Sequence, residues 1–239
     1  MSTSVRQPHP ARGSLEEFVA RVAAEGMTPL GGMHAYEAER AAGFRASAVL
    51  ALFAPTADPA RLPESDPVDG VDIFLVQRSP LLRHHPGQIA LPGGSLEPGE
   101  SEVEAALRET HEEIGLAPDL VEVLAVLDPV LVPFSRFVVT PVLGWTDSPG
   151  AVSEVSPGEV LHTLRVPVAH LLDPAHRATV TIGGHGSAGF ALDSGWVWGF
   201  TGNLLDHLFT EMGWSRPWPR ERVHEMTMSE ARGDRFLDR

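Results

Sequence analysis

The sequence predicts an α+β protein, a mixed β-sheet with helices packed on it. Three observations lead there. The 239 residues are 43% hydrophobic and 21% charged, ordinary proportions for a chain that closes one sizeable core. Short β-branched runs and segments of helical period alternate irregularly, which suits neither a helix bundle nor a regular βαβ array. No internal repeat or low-complexity tract points to a solenoid or a linker.

The elements follow in order. Residues 1–13 are polar, carry two Pro and predict a mobile arm. Ser14 followed by Glu17 is a capping-box pattern ahead of Phe18, Val19, Val22 and Ala23, and predicts a helix over 15–25. The apolar run from Ala46 to Phe53 predicts a buried strand, residues 55–70 with four Pro a loop, and Val71 to Gln77 a second strand. A loop rich in Pro, His and Gly then ends in Leu91-Pro92-Gly93-Gly94. Val103, Ala106, Leu107, Thr110 and Ile114 share one face of a helix over 101–115, with Gly115 placed to end it. Strands are expected at 121–127, 136–144 and 161–166. The stretch from Trp196 to Thr210 starts strand-like and passes into a helix through Leu204, Leu205, Leu208 and Phe209. Residues 215–239 are highly charged and predict a polar tail or a partner-dependent helix. The chain thus divides into an arm and short helix (1–40), a main domain (41–214) and a polar C-terminal tail (215–239).

Composition excludes several chemistries. Asp and Glu number 32 against 18 Lys and Arg, a net charge of −14. That disfavours binding to a nucleic-acid backbone or an anionic membrane. An acidic protein that handles phosphates needs a metal ion as a bridge. Every basic residue is Arg, so a Schiff-base or P-loop lysine is excluded, and with no Cys there is no disulfide, thiolate metal site or cysteine nucleophile. The first residues lack the apolar core of a signal peptide, and no stretch reaches the roughly 18 apolar residues of a membrane span. The expected location is the cytoplasm.

Chemistry concentrates in GSLEPGESEVEAALRETHEEIGL, Gly94 to Leu116. On a helix Glu109 and Glu113 lie about 40° apart, with Glu112 within about 100° of both. Such carboxylates repel one another. A hard divalent cation, Mg²⁺ or Mn²⁺, would compensate, and a solvated acidic face is the plain alternative. Glu100 stands ahead of the helix in a loop that can fold back over it, and Arg108 can fix a carboxylate with two parallel hydrogen bonds. Gly93 and Gly94 allow a positive-φ turn or a close approach of backbone to phosphate.

This stretch resembles the Nudix box. Gly94, Glu100, Arg108, Glu109, Glu112, Glu113, Gly115 and Leu116 match its pattern, and Thr110 replaces the usual aliphatic residue. The resemblance implies a mixed sheet sandwiched between helices (α/β/α) with a loop–helix–loop catalytic motif. It also implies metal-dependent hydrolysis of a nucleoside diphosphate linked to another moiety, with Glu109, Glu112 and Glu113 as metal ligands and Glu100 beside them. The catalytic base can lie outside the box in this superfamily. Glu154 and Glu159 are the outside candidates; Glu159 is favoured because it precedes an apolar strand as a corresponding Glu does in relatives, and a plain loop carboxylate is the other reading.

From Phe74 the chain reads FLVQRSPLLRHHPGQIALPGG, similar to the additional signature of coenzyme A pyrophosphatases. Arg78, Ser79, Arg83, Gly87, Pro92, Gly93 and Gly94 fall in register, while Phe74, Val76 and Leu91 depart from it. Val197 to Thr201 also looks like that subfamily. Coenzyme A carries a pyrophosphate and a 3′-phosphate, and planar guanidinium groups suit both; surface salt bridges are the other reading of Arg78 and Arg83. The expected partner is therefore a small nucleotide substrate, with Gly93 and Gly94 as further binding positions; a homodimer stays open. His84 and His85 read as polar loop residues, one of which can touch substrate, and His111 as solvent-facing. The resemblance leaves two competitors. One is ADP-ribose hydrolysis, whose branch carries a Pro that Pro129 and Pro133 straddle. The other is a non-catalytic nucleotide sensor, disfavoured because all the box carboxylates stand. Tyr36 lies upstream of the box rather than downstream as in dinucleoside-polyphosphate enzymes.

Overall fold

Helices cover both faces of one sheet, and the apolar sequence runs supply both contacts. The computed structural model describes residues 9–57, 66–150 and 158–237. Helix α1 (Pro10–Glu25) and the short α2 (Ala38–Ala41) precede strand β1 (Arg45–Pro55). Strands β2 (Val71–Arg78), β3 (Ile89–Ala90) and β4 (Gly93–Ser95) lead into helix α3 (Glu102–Ile114). Strands β5 (Glu122–Val126), β6 (Val130–Val132), β7 (Phe137–Trp145) and β8 (Val160–Pro167) follow, then helix α4 (Val168–Leu172). The chain closes with β9 (Arg177–Ile182), β10 (His185–Leu192), β11 (Gly195–Val197), helix α5 (Gly199–Glu211), β12 (Val223–Glu225) and helix α6 (Met228–Arg232).

The first eight strands form one mixed sheet, with the path β3-β2-β1-β7-β5 and β4, β6 and β8 attached to β1, β7 and β2. β1 is its centre and pairs in parallel with β7 from Arg45–Phe137 to Phe53–Trp145. Burial on both faces explains its continuous apolar run. Ala48, Leu50, Leu52 and Phe74 pack with Ala105, Ala106 and Ile114 of α3. On the other face Phe53, Ile73, Leu75 and Leu143 meet Leu15 and Phe18 of α1, Leu171 of α4 and Leu204, Leu205 and Leu208 of α5. The protein is thus α+β, a mixed sheet between helices.

The other edge of β1 forks. Its C-terminal end pairs with β2 at Phe53–Ile73, and its N-terminal half pairs with β4 at Ser47–Ser95. Between them Leu50 N–H donates to the Pro92 carbonyl at 2.8 Å. Both sequence signatures converge on this fork, and α3 lies over it.

Three readings change. The first helix begins at Pro10, not after Ser14: Pro suits the first helical position, and His9 Nδ1 accepts from Ala11 N–H at 3.2 Å. Ser14 is instead engaged by Trp214, whose Nε1 donates to its hydroxyl at 2.8 Å. The expectation for 1–13 holds for none of residues 10–13, which are helical, while 1–8 lie outside the described residues. A second sheet, in the order β11-β10-β9-β12, contains a hairpin that the sequence reading omitted. The expected tail contributes β12, parallel to β9 at Val223–Thr179, and α6. Its charges are used: Arg216 pairs with Asp66 at 2.8 Å, and Arg222 Nη1 donates to the carbonyl oxygens of Pro174 and Ala175 at 2.9 and 3.2 Å.

Candidate active site

Helix α3 is built to hold carboxylates. Ser101 and Glu104 form a reciprocal capping box at its start, and Gly115 takes the left-handed cap at its end, φ 74°. Thr110 is buried where an aliphatic side chain is usual, and its hydroxyl is satisfied by the Ala106 carbonyl at 2.6 Å.

Glu113 faces the sheet and is only 4% exposed. Its Oε2 accepts from Gly93 N–H at 3.0 Å. Burial pushes its carboxyl up to about 8; the Gly93 bond and the nearby Arg78 charge oppose this, while Glu109 and Glu159 reinforce it. Glu109 is also held above the usual carboxylate range by burial, with Glu112 and Glu159 adding to the shift against the pull of Arg108. Arg108 is the hub. Its Nε and Nη2 donate to the two oxygens of Glu100 at 2.8 and 3.0 Å, and its Nη1 reaches Glu109 at 3.0 Å and Glu112 at 3.4 Å. The Arg108 bond, with Glu97 N–H at 2.8 Å, holds Glu100 below the usual range.

The glycines act on these carboxylates. A Cβ on Gly94 would stand 2.2 Å from Glu109 Oε1, and one on Gly93, φ +151°, would stand 2.3 Å from the Ala48 carbonyl oxygen. Their missing side chains let β4 pair with β1 and let Glu109 lie flat on the strand. That function has no signature in helical periodicity; the adjacency of two glycines to a carboxylate helix was its one trace in the sequence.

Arg78, at the end of β2, comes to the cluster: its charge acts on Glu113, and its Nε is buried with no hydrogen-bond partner among the described residues. Glu159 also comes, exposed and near enough to raise both Glu109 and Glu113, with its carbonyl accepting from Ser79 N–H at 2.7 Å. Arg83 stands exposed in the loop and, among the described residues, makes no ion pair. Glu154 lies outside the described residues. His111 is exposed, and His85 Nδ1 lies 2.9 Å from Gln88 Oε1.

Among the described residues, no three His, Asp or Glu side chains stand close enough together to ligate one ion. In kind the donors fit a hard cation: Glu109 and Glu113 are oxygen ligands, and the charge of Glu109 helps raise Glu113, a repulsion that a divalent ion relieves. Glu112, 53% exposed, is the carboxylate with room to swing toward them.

A NUDIX domain model matches residues 65–180. The chain is also 36% identical over 150 residues to an uncharacterized Nudix hydrolase, NudL, of Klebsiella pneumoniae (strain 342), covering 61% of this chain and 77% of that one. This chain belongs to the Nudix hydrolases. The Nudix box and the second signature both lie inside the matched span. Nudix hydrolase 3 of Caenorhabditis elegans is 38% identical over 111 residues, covering 45% of this chain and 46% of that one. Among solved structures, a Nudix hydrolase of M. smegmatis, RenU, superposes with a TM-score of 0.43 at 24% identity, covering 54% of this Nudix chain and 74% of that one. No described helix is long and apolar enough to cross a membrane.

Proposed function

We propose that this Nudix hydrolase cleaves the pyrophosphate of coenzyme A or its derivatives, giving 3′,5′-ADP and 4′-phosphopantetheine or its acylated form. The position of Arg78 carries the reading. The arginine that opens the second signature stands beside Glu113 of the box with a buried, unpartnered Nε–H. An unmet buried donor costs about 1–3 kcal/mol, and a phosphate oxygen would meet it.

Glu109, Glu112 and Glu113 would hold the divalent cation, Mg²⁺ or Mn²⁺, which when bound neutralises phosphate oxygens and lowers the pKa of a water. Glu159, exposed and close to Glu109 and Glu113, takes the proton of the attacking water. Arg108 keeps Glu109 and Glu100 in place, and Arg78 orients the pyrophosphate. Arg83, in the loop that follows β2, meets the 3′-phosphate. Local positive charge of this kind offsets the repulsion between an anionic substrate and a protein of charge −14.

The test is a substrate panel of coenzyme A, dephospho-coenzyme A, ADP-ribose, NADH and dinucleoside polyphosphates, with Mg²⁺, Mn²⁺ or EDTA. Turnover of coenzyme A is expected with either ion and none in EDTA; full turnover in EDTA removes the metal from the mechanism. Arg83→Ala is expected to raise KM for coenzyme A about tenfold, from one lost charge-assisted bond, and to leave dephospho-coenzyme A nearly unchanged. Arg78→Ala should harm both alike. No loss in either variant moves the assignment to ADP-ribose.

A further inference from the structure

We infer that the C-terminal segment from β12 to Phe236 takes part in substrate recognition, with Gly233 as a positioning residue that sets the loop 79–88 through Gly87. The inference rests on the proposed role of that loop, and the segment itself lies outside the matched span 65–180.

Two backbones touch here. A Cβ on Gly87 would lie 2.6 Å from Gly233 Cα and 2.8 Å from the Arg232 carbonyl oxygen, and one on Gly233 would lie 2.8 Å from Gly87 Cα. Both glycines take φ +67°. Neither position accepts a side chain without moving one segment off the other.

The segment that carries Gly233 is anchored independently of the loop. Met226 N–H donates to the Thr181 carbonyl at 2.8 Å. Met226 and Ala231 are buried with Val180 against Trp196 and Trp198. Thr227 and Glu230 form a capping box, and Gly233 closes α6 in the left-handed conformation. The loop, in turn, is tied to the active site: Arg78 N–H donates to the Gln88 carbonyl at 2.9 Å and Ser79 N–H to Glu159. Gln77 Nε2 bridges the carbonyls of Gly87 and Ser194 at 3.4 and 3.1 Å. Beside the glycine contact lies a cavity of about 150 Å³ lined by Ile89, Trp196, Trp198, Met226 and Phe236. Side chains therefore do not fill the space between loop and segment, and the backbone contact sets their separation. A shift of Gly233 passes through Gly87 and Gln88 to Arg78.

The test compares full-length Gly233→Ala with Gly213→Ala. Gly213 has a similar φ of +71°, but no atom of the described residues lies within 4 Å of its would-be Cβ, so it reproduces the strain without the collision. Gly233→Asn is the second variant: Asn tolerates positive φ yet still carries the colliding Cβ. Both Gly233 variants are expected to raise KM for coenzyme A about fivefold with little change in kcat, because misplaced positioning groups weaken binding geometry. Amide hydrogen exchange across 79–88 should quicken in both and stay as in wild type for Gly213→Ala. In the Arg83→Ala/Gly233→Ala double variant, the KM rise should fall short of the product of the single effects. If the Arg variants raise KM and the Gly233 variants behave like Gly213→Ala, this inference is overturned and the role of the loop stands. If Arg78→Ala and Arg83→Ala leave KM unchanged, the role of the loop fails and this inference fails with it.

Discussion

Glu113→Gln is expected to lower kcat about a hundredfold or more, about 3 kcal/mol of lost charge stabilisation, and at the same time to make the metal-free protein more stable at alkaline pH. The second effect follows from the proton. Glu113 has its carboxyl pushed up to about 8 by burial, against an ordinary value of 4.5. Below pH 4.5 the group is protonated in both folded and unfolded chains. As pH rises from 4.5 toward 8 the unfolded chain releases a proton that the fold retains, so wild-type stability falls, and it levels off above 8. Gln keeps the shape and the bond from Gly93 N–H and carries no proton to lose. Melting curves in EDTA from pH 4 to 9 should therefore converge at the acid end and separate at the alkaline end, with the variant higher. Parallel curves across that range would show that burial does not hold the proton on Glu113. A near-normal kcat would return the box carboxylates to a plain acidic face.

Arg177→Ala should be the most damaging change away from the active site. The side chain is fully buried, its guanidinium lies over the rings of Phe190 and Trp218 at 3.9 and 4.4 Å, and it pairs with Asp206. Removing one partner of a buried ion pair costs about 3–5 kcal/mol when the other is left uncompensated; Asp206 keeps Arg220 at 3.3 Å, so the expected loss is at the lower end, which for a chain of this size lowers Tm by roughly 10 °C. Arg177→Met, which keeps the bulk, should recover part of the loss. Calorimetry of the two variants checks the order, and equal Tm values for wild type and Arg177→Ala would assign the pair no net stabilising role.

Arg177 also marks the boundary of what the sequence discloses. β1, β2 and α3 were legible because an apolar run between turn residues, or Val103 to Ile114 at helical spacing, follows directly from which face is buried. The carboxylates were legible as a set for the same reason. What each touches was not: Glu113 bonds to Gly93 N–H and Glu109 rests on Gly94, and neither contact follows from position along one helix. β10 escaped because its small residues, His185 to Leu192 with two Gly, lack strand character by composition. The Gly183-Gly184 pair, both at positive φ, was its available hairpin signal. The C-terminal charges suggested solvent because charge density does not reveal pairing. Arg220 meets Asp206 and Arg216 meets Asp66 and Asp69, partners that only the fold brings near.

The parallel pairing of β1 with β7 has a consequence for how the chain is made. β1 leaves the ribosome early, but its central partner ends at Trp145. At ordinary rates of synthesis the strand waits roughly 5–20 s for that residue. Helix α3 is made in the interval, before the sheet that buries Glu113 can close. The nascent chain therefore carries an apolar strand whose β7 edge is unpaired, a non-local topology that folds slowly and is open to association in the meantime. Substitutions along β7, remote from any substrate, should then show first as lost yield of soluble protein and only afterwards as lost turnover.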